Sequence, residues 1–223
     1  MSFLTSGFVS AIPMAYAALF PVLNPLGYAF VFLALTQKLP ADARRRLARK
    51  IAFNAFILLV TVFWVGEWVL QFFGVTLPIV QVAGGLVVTY IGWLMMNQPA
   101  GNEGMHGKAI QDETEANAQS FFPLTMPMTA GPGSIAVALT IGAHDNLADG
   151  TNALMSKLGA MTGILLAAIT IYFCYAYASS LTKKLGTSGV TVIIKLSAFI
   201  IFCIGLAILW HGIQMLSLTL PVR

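Results

Sequence analysis

The sequence predicts an all-α polytopic membrane protein, with six transmembrane helices arranged as two inverted three-helix repeats. The first observation is composition: 58% of the 223 residues are hydrophobic and only 9% are charged, against about 25% charged in average soluble domains. The second is that the apolar runs are continuous over about 20 residues, the length of a membrane-spanning helix, and lack the alternation of barrel strands. The third is a polar stretch near the middle, which leaves three apolar runs on either side.

The first apolar run, residues 3–36, is too long for one straight span. As a single helix rising about 1.5 Å per residue it would measure about 50 Å, whereas the hydrocarbon core is about 30 Å thick. The pair Asn24-Pro25 supplies a break, because proline lacks an amide hydrogen and its ring clashes with the carbonyl four residues earlier. We therefore expect the first span to be broken here; a steep tilt or a segment outside the bilayer are the alternatives.

Five further spans are predicted in order along the chain, at residues 51–73, 78–97, 121–143, 158–180 and 192–218. The fourth of the six spans contains a second proline–glycine break, and either broken run could instead be re-entrant. The chain thus divides into a first repeat (1–97), a polar cytoplasmic linker (98–120) and a second repeat (121–223), all within one membrane domain. Three spans per half is an odd number, so the second half has to run inverted relative to the first.

Basic residues determine the expected orientation. Half of them lie in a segment predicted as a loop at residues 37–50, namely Lys38, Arg44, Arg45, Arg46, Arg49 and Lys50. By the positive-inside rule this loop is cytoplasmic, together with the linker and a loop around Lys183 and Lys184, so both termini face outside. This clustering accounts for a pI near 9.2, and it argues against nucleic acid as a partner because no aromatic residues are interleaved with the basic ones.

The first break has the residue types that begin a helix. Asn24 is a good N-cap and Pro25 a good first helical residue, so a half-helix should start here. The amides of Leu26, Gly27 and Tyr28 would then point toward the break, at the positive end of the helix dipole.

The second break has Gly131 and Pro132 in the same places, which would leave the amides of Gly133, Ser134 and Ile135 free. Inverted halves could aim both amide clusters at one region near the midplane, where they suit a carboxylate. Carbonyls freed near Pro21 and Met128 could accept an ammonium group. A zwitterion carries both a carboxylate and an ammonium group. The alternative is that each proline only kinks its helix, with the freed carbonyls satisfied by neighbouring groups or by Ser and Thr hydroxyls.

Glu67 is the only carboxylate inside a predicted span, and carboxylates within a membrane commonly mark ion or proton paths. We therefore consider Glu67 for proton or ion coupling. It also lies toward one end of its span beside Trp64 and Trp68, where an interfacial carboxylate costs little, so a purely interfacial role stays open.

Small residues recur seven apart in the third and sixth predicted spans. Seven residues make two helical turns, so they lie on one face and allow close helix packing. The residues expected to serve packing are Gly84, Gly85, Gly92, Gly205 and Gly212. The two spans also resemble each other weakly when residues 85–92 are placed beside 198–205.

The sequence offers no candidate groups for an enzyme, a metal site or a cofactor. It contains no nucleophile–base pair, metal-ligand cluster or phosphate-binding loop. Cys174 and Cys203 lie far apart within apolar spans, as expected of packed free thiols. We therefore expect a protein that is not an enzyme and that has no metal or cofactor.

The chain resembles the MarC family of bacterial inner-membrane proteins nearly from end to end. The motifs that carry the resemblance are PVLNPL at 21–26, QVAGGL at 81–86 with IG at 91–92, and FPLTMP at 122–127 with TAGPG at 129–133. One branch of this family, the SnatA-like proteins, moves small neutral amino acids such as glycine and alanine. The resemblance implies a multi-pass inner-membrane protein with its substrate near both breaks. Many members have a proline where this chain has Phe30, three residues after the first glycine.

The leading hypothesis is a secondary transporter or exporter of a small zwitterionic solute, such as a neutral amino acid, by alternating access around the paired broken helices. The alternative is a non-transporting MarC-type membrane protein that binds a lipid or a partner protein. The expected partners are the lipid bilayer and a small solute such as glycine or alanine, and the oligomeric state stays open. The expected substrate-binding residues are Asn24, Pro25, Leu26, Gly27, Thr129, Gly131, Pro132, Gly133 and Ser134.

Overall fold

The computed structural model describes residues 2–97, 109–145 and 151–219, and within these ranges it contains helices and no strand. A single π-helical segment, Leu124–Thr129, lies between the fifth and sixth α-helices. The α-helices in chain order are α1 Ser2–Leu23, α2 Pro25–Leu35, α3 Ala41–Phe72, α4 Leu77–Asn97, α5 Glu113–Ala118, α6 Pro132–Asp145, α7 Thr151–Ala176 and α8 Ala178–Thr219.

Four helical stretches are long and apolar enough to cross a membrane: Ala41–Phe72, Leu77–Asn97, Ala153–Ala176 and Ser188–Leu218. The pair Gly7–Leu23 and Pro25–Leu35, bent by 42° at the break, provides a fifth candidate if the two helices form one span. The structure thus supports an all-helical membrane protein with four or five candidate spans, whereas the sequence predicted six. The predicted span at 121–143 is not one helix, because its only regular apolar helix, Pro132–Ala143, is too short to cross alone.

The predicted loop at 37–50 is confirmed for residues 37–40 and wrong from Ala41 onward, since α3 begins at Ala41 and carries Arg44 to Lys50 on its first turns. Alanine, leucine, arginine and lysine are good helix formers, and the apolar residues of this stretch recur with helical spacing on one buried face. Charge alone had suggested a loop, but the charged side chains occupy only the outer faces of the helix. The buried residues are Ala43, Leu47, Ala48 and Ile51.

The second predicted basic loop is also helical. Lys183 and Lys184 lie in the first part of α8, which follows α7 after a turn at Tyr177. The helix is interrupted at Gly186, whose φ of 67° is a left-handed value that glycine adopts at no steric cost. The apolar part of α8 therefore starts at Ser188, four residues before the predicted boundary of 192.

Helices α4 and α8 pack closely through glycines and run antiparallel. A Cβ at Gly85 would lie 2.4 Å from the backbone nitrogen of Leu209, and one at Gly92 would lie 2.6 Å from that of Phe202. Small residues are therefore required for the two backbones to approach this closely. The antiparallel direction follows from the contact pairs, in which residue numbers rise along α4 and fall along α8. These pairs are Val82 with Gly212, Gly85 with Leu209, Thr89 with Gly205 and Gly92 with Phe202.

The relative directions of two further helix pairs follow from their contacts. Helix α1 runs parallel to α7, because Gly159 meets Phe8 and Gly163 meets Ile12. Helix α6 runs antiparallel to α4, as the contacting pairs are Gln81 with Thr140, Gly84 with Ala136 and Val88 with Gly133. The main apolar core lies among α1, α2, α3, α6 and α7, and a smaller one lies between α4 and α8.

The second part of the predicted linker is docked on the protein, while residues 98–108 lie outside the described ranges. Ile110 is fully buried, and its amide donates a 2.8 Å hydrogen bond to the carbonyl of Leu35 at the end of α2. On α5, Glu113 accepts two hydrogen bonds from the Arg46 guanidinium at 2.8 and 2.9 Å. The Lys50 ammonium donates to the Asn117 side chain at 3.3 Å. This segment therefore connects α2 and α3 to the second half of the chain.

Candidate functional site

The first break consists of a single residue between two helices. Asn24 has φ 43° and ψ 56°, a left-handed conformation that asparagine tolerates better than most other residues. Its side-chain oxygen accepts a 3.1 Å hydrogen bond from the Gly27 amide, so Asn24 is the N-cap of α2 and Pro25 is its first residue. The Tyr28 amide donates to the Asn24 carbonyl at 3.0 Å. The expectation of three free amides is therefore wrong for Gly27 and Tyr28.

The cap leaves one buried donor without a partner. Asn24 is 5% exposed, and its Nδ2 forms no hydrogen bond with any described residue. A Cβ at Gly27 would lie only 2.2 Å from this nitrogen, so glycine is what allows the Asn24 side chain to fold over the start of α2. An unpaired buried amide costs free energy.

The second break is longer and less regular than the first. The π-helical segment contains a non-helical residue, Met126, and α6 begins at Pro132 after Gly131. The Thr129 hydroxyl lies 2.7 Å from the Leu124 carbonyl oxygen, to which it donates, and 2.9 Å from the hydroxyl of the buried Tyr175. A hydroxyl group therefore satisfies part of the freed backbone, as expected if each proline only kinks its helix.

One backbone acceptor at the second break stays unpaired. The Pro127 carbonyl receives no hydrogen bond from a described residue, because its usual donor four or five residues on is displaced or is a proline. A Cβ at Gly131 would lie 2.7 Å from this oxygen, so glycine at 131 keeps the carbonyl accessible. On the other side of Gly131, the first-turn amides of Gly133 and Ser134 have no acceptor within α6. The Ile135 amide donates a 3.1 Å hydrogen bond to the Gly131 carbonyl, so the expectation of a free amide is wrong for Ile135.

The two breaks meet at one small cavity of about 330 Å³, a volume that includes the space at its open side. A Cβ at Gly133 would lie 2.0 Å from Cγ2 of Val88 and 3.0 Å from Cγ1 of Val22, so the start of α6 touches both α4 and the end of α1. The cavity is lined by Val22, Tyr28, Val88, Ile91, Pro127, Met128, Thr129, Gly131, Pro132, Gly133, Ser134 and Ile201.

The structure thus brings together only part of the predicted substrate-binding set. Five of its members, Thr129, Gly131, Pro132, Gly133 and Ser134, line the cavity. The neighbours of the first break, Val22 and Tyr28, line the cavity, whereas Asn24, Pro25, Leu26 and Gly27 do not.

Tyr28 and Val22 are the cavity residues from the first break that sequence reasoning missed. Tyr28 is in the first turn of α2, one residue beyond the predicted motif, and its hydroxyl forms no hydrogen bond within the described ranges. A phenol without a partner at a cavity wall can donate to or accept from a ligand. The only signal in the sequence was its position in the half-helix that the break begins.

Two polar residues outside the cavity complete the description. Glu67 accepts a 3.3 Å hydrogen bond from Gln71 near the far end of α3 and does not line the cavity, so its coupling role stays a prediction. Gln81, which was not among the predicted site residues, is 5% exposed and donates to Thr140 at 3.2 Å, while its Oε1 has no described partner.

The glycines expected to serve packing lie in helix contacts and do not line the cavity. Gly85, Gly92, Gly205 and Gly212 lie between α4 and α8, while Gly84 faces α6, where its Cβ would lie 2.7 Å from Cβ of Ala136. Within the described residues there is no group of three or more metal-ligating His, Cys, Asp or Glu side chains.

Comparison with known proteins places this architecture in a family. The family model described as "MarC family integral membrane protein" matches residues 9–217. A UPF0056 membrane protein of Methanocaldococcus jannaschii is 28% identical over 201 residues, covering 90% of this chain and 95% of the relative. The UPF0056 inner membrane proteins MarC of Salmonella typhimurium and Escherichia coli are 27% and 28% identical, each covering 91% of this chain and 94% of the relative.

No solved structure matches the chain. The family model covers nearly all of the described residues, including both breaks and all but one or two terminal residues of the candidate spans. The chain therefore belongs to the MarC family of integral membrane proteins.

Proposed function

We propose that this protein is a secondary transporter or exporter of a small zwitterionic solute, such as a neutral amino acid, working by alternating access. The observation that carries the proposal is the cavity at which the two broken segments meet. Half-helices that end at a shared site are the arrangement in which membrane transporters bind small charged solutes. The volume of about 330 Å³ includes the space at the open side, so the enclosed part is smaller and suits a small solute only.

The polar groups at the cavity match the two charges of a zwitterion. The amides of Gly133 and Ser134 lie at the positive end of the α6 dipole and suit a carboxylate. The Pro127 carbonyl is an unpaired acceptor that suits an ammonium group. The Tyr28 hydroxyl can assist either end, and the apolar side chains of Val22 and Val88 leave room for a small side chain only.

The helix directions support two inverted repeats that each cross the membrane three times. Parallel α1 and α7, with α4 antiparallel to both α6 and α8, are the directions of a chain that crosses alternately six times. In this arrangement Gly85 corresponds to Gly205 and Gly92 to Gly212, each pair 120 residues apart. Under this correspondence Gly85 maps to Gly205 and Leu209 maps to Thr89. The Gly85–Leu209 contact therefore has an equivalent, Gly205–Thr89, as a two-fold axis between the two helices requires. This register differs by one heptad from the pairing of 85–92 with 198–205.

We propose the inner membrane as the location, with both termini outside. Bacterial relatives carry the name inner membrane protein. The first turns of α3 and the start of α8 lie at the same end of the molecule, because the Arg45 guanidinium is 5.8 Å from the ring centre of Tyr177. Both carry clustered basic residues, so the positive-inside rule assigns this end to the cytoplasm.

Transport is tested by uptake and efflux of radiolabelled glycine and alanine in proteoliposomes, with and without a proton gradient. We expect solute-specific flux that Tyr28→Phe reduces, since only one hydroxyl is removed from the cavity. The matched control is Tyr90→Phe, which alters an exposed tyrosine on α4 and should leave the flux unchanged. Glu67→Gln tests coupling, and should remove any dependence on the proton gradient if Glu67 carries the proton.

Absence of flux for the wild-type protein, or equal flux in both tyrosine variants, would contradict the proposal. If the wild-type protein shows no flux and a lipid copurifies with it in stoichiometric amount, the alternative of a non-transporting, lipid-binding protein is favoured.

A further inference from the structure

The first turns of α3 present basic residues on two faces. Arg46 and Lys50, four residues apart, face α5, where they contact Glu113 and Asn117. Arg45 and Arg49 lie on the neighbouring face, also four residues apart, and both are exposed. Neither arginine forms an ion pair with a described residue. Asp42, the acidic residue of the first turn, forms none either and lies where the helix dipole stabilises a carboxylate.

The tertiary fold places further basic residues near this second face. The Arg45 guanidinium lies over the ring of Tyr177, at the turn between α7 and α8. Lys183 and Lys184 follow this turn within the first two turns of α8, which begins at Ala178, so they lie within about 10 Å of it along the helix axis. Lys183 and Lys184 are exposed and form no ion pair within the described ranges. We call Arg45, Arg49, Lys183 and Lys184 the basic face.

An exposed aromatic surface adjoins the basic face. The rings of Phe173 and Tyr177 stack with centres 6.1 Å apart and planes 14° from parallel, and each side chain is about half exposed, at 52% and 51%. Phe173 belongs to the candidate span Ala153–Ala176, so its free side faces lipid if this helix crosses the membrane. Aromatic side chains next to clustered basic residues are typical of the membrane–water interface.

We propose that the basic face binds the phosphate group of an anionic phospholipid, with an acyl chain lying along Phe173 and Tyr177. The uncompensated charges recognise phosphate, and guanidinium groups can bind it with two parallel hydrogen bonds. The aromatic surface is what distinguishes a lipid from free phosphate, because only a lipid has an apolar part to cover it. This site is separate from the cavity at the two breaks and does not depend on transport.

The test measures thermal unfolding of the purified full-length protein in detergent, with phosphatidylglycerol, phosphatidylcholine or inorganic phosphate added. We expect phosphatidylglycerol to raise the unfolding temperature and the other two to have little effect. In Arg45→Gln with Arg49→Gln, we expect the apparent affinity for phosphatidylglycerol to fall roughly tenfold or more. Native mass spectrometry provides a second measurement, as the number of retained lipid molecules should fall in the same variant.

The matched control is Arg46→Gln with Lys50→Gln, which removes the same charge from the same helical turns but from the face toward α5. Each variant is compared with its own lipid-free unfolding temperature, so a change in basal stability does not affect the comparison. Retained affinity in this control supports a local site. Equal losses in both pairs, an equal response to inorganic phosphate, or no response to phosphatidylglycerol in the wild type would each overturn the proposal.

Discussion

Replacing Gly133 with alanine tests a very close contact between the two halves of the chain. The added Cβ would lie 2.0 Å from Cγ2 of Val88 and 3.0 Å from Cγ1 of Val22. Carbon atoms in good contact are about 3.5–4.0 Å apart, so Val88 would have to move by roughly 1.5 Å. Overpacking of this kind costs about 1–3 kcal/mol, which exceeds what alanine gains over glycine in a helix.

We therefore expect Gly133→Ala to lower the unfolding temperature by roughly 2–10 °C for a chain of this size, and to reduce solute flux because the new methyl group occupies the cavity. Val88→Ala removes the methyl group that is in the way. It should lose stability on its own through a new void, yet partly restore the Gly133→Ala variant. The assay is a double-mutant cycle on thermal unfolding in detergent, with flux in proteoliposomes measured on the same four proteins.

Gly189→Ala provides the matched control. This glycine is also helical, but its nearest neighbour would be Cβ of Leu185 in the same helix at 3.2 Å, so we expect no loss of stability. If Gly133→Ala were as stable as wild type, or if its loss simply added to that of Val88→Ala, the contact between α6 and α4 would be wrong. If stability fell but flux did not, the cavity would not be the transport site.

Three further predictions concern other contacts. Asn24→Ala should destabilise the protein by about 1–3 kcal/mol, because it removes the cap and because alanine disfavours the left-handed backbone at this position. Asn24→Gly should cost less, since glycine accepts this conformation. Equal unfolding temperatures for the two variants would contradict the left-handed conformation of Asn24. Gly85→Ala should lower the unfolding temperature more than Gly189→Ala does, since the backbone of Leu209 cannot yield; an unchanged temperature would argue against this α4–α8 register. Arg46→Glu and Glu113→Arg should each destabilise by under about 1 kcal/mol, because both partners are about half exposed, and together they should restore stability at low salt only; no recovery in the double variant would argue against the docking of α5.

Local rules were enough to locate both breaks. Pro25 and Pro132 each start a helix directly after a good capping residue, and proline chemistry acts within four residues along the chain. Composition and the apolar runs likewise determined that the protein is a helical membrane protein, because continuous runs of about 20 residues fit spanning helices and lack the alternation of barrel strands. These properties depend on residue type and spacing alone.

Boundaries that depend on packing were predicted less well. The basic segment at 37–50 was expected to be a loop, yet Ala43, Leu47 and Ile51 bury one face of it and make it helical. The linker was expected to be only polar, yet Ile110 is fully buried beside the end of α2. In each case a few apolar residues among charged ones find partners far away in sequence, and a local pattern does not reveal those partners.

The side of the cavity that comes from the first break was decided by the tertiary structure. The sequence pointed to Asn24 and Gly27, but the Asn24 side chain folds back to cap its own helix, and the cavity wall is formed by Val22 and Tyr28 instead. Which side of a break faces the other half depends on how far the helices rotate and approach, and glycines at positions such as 85, 92 and 133 determine that approach. The sequence alone therefore determined where the helices break, and only the packing of the two halves decided which atoms face the space between them.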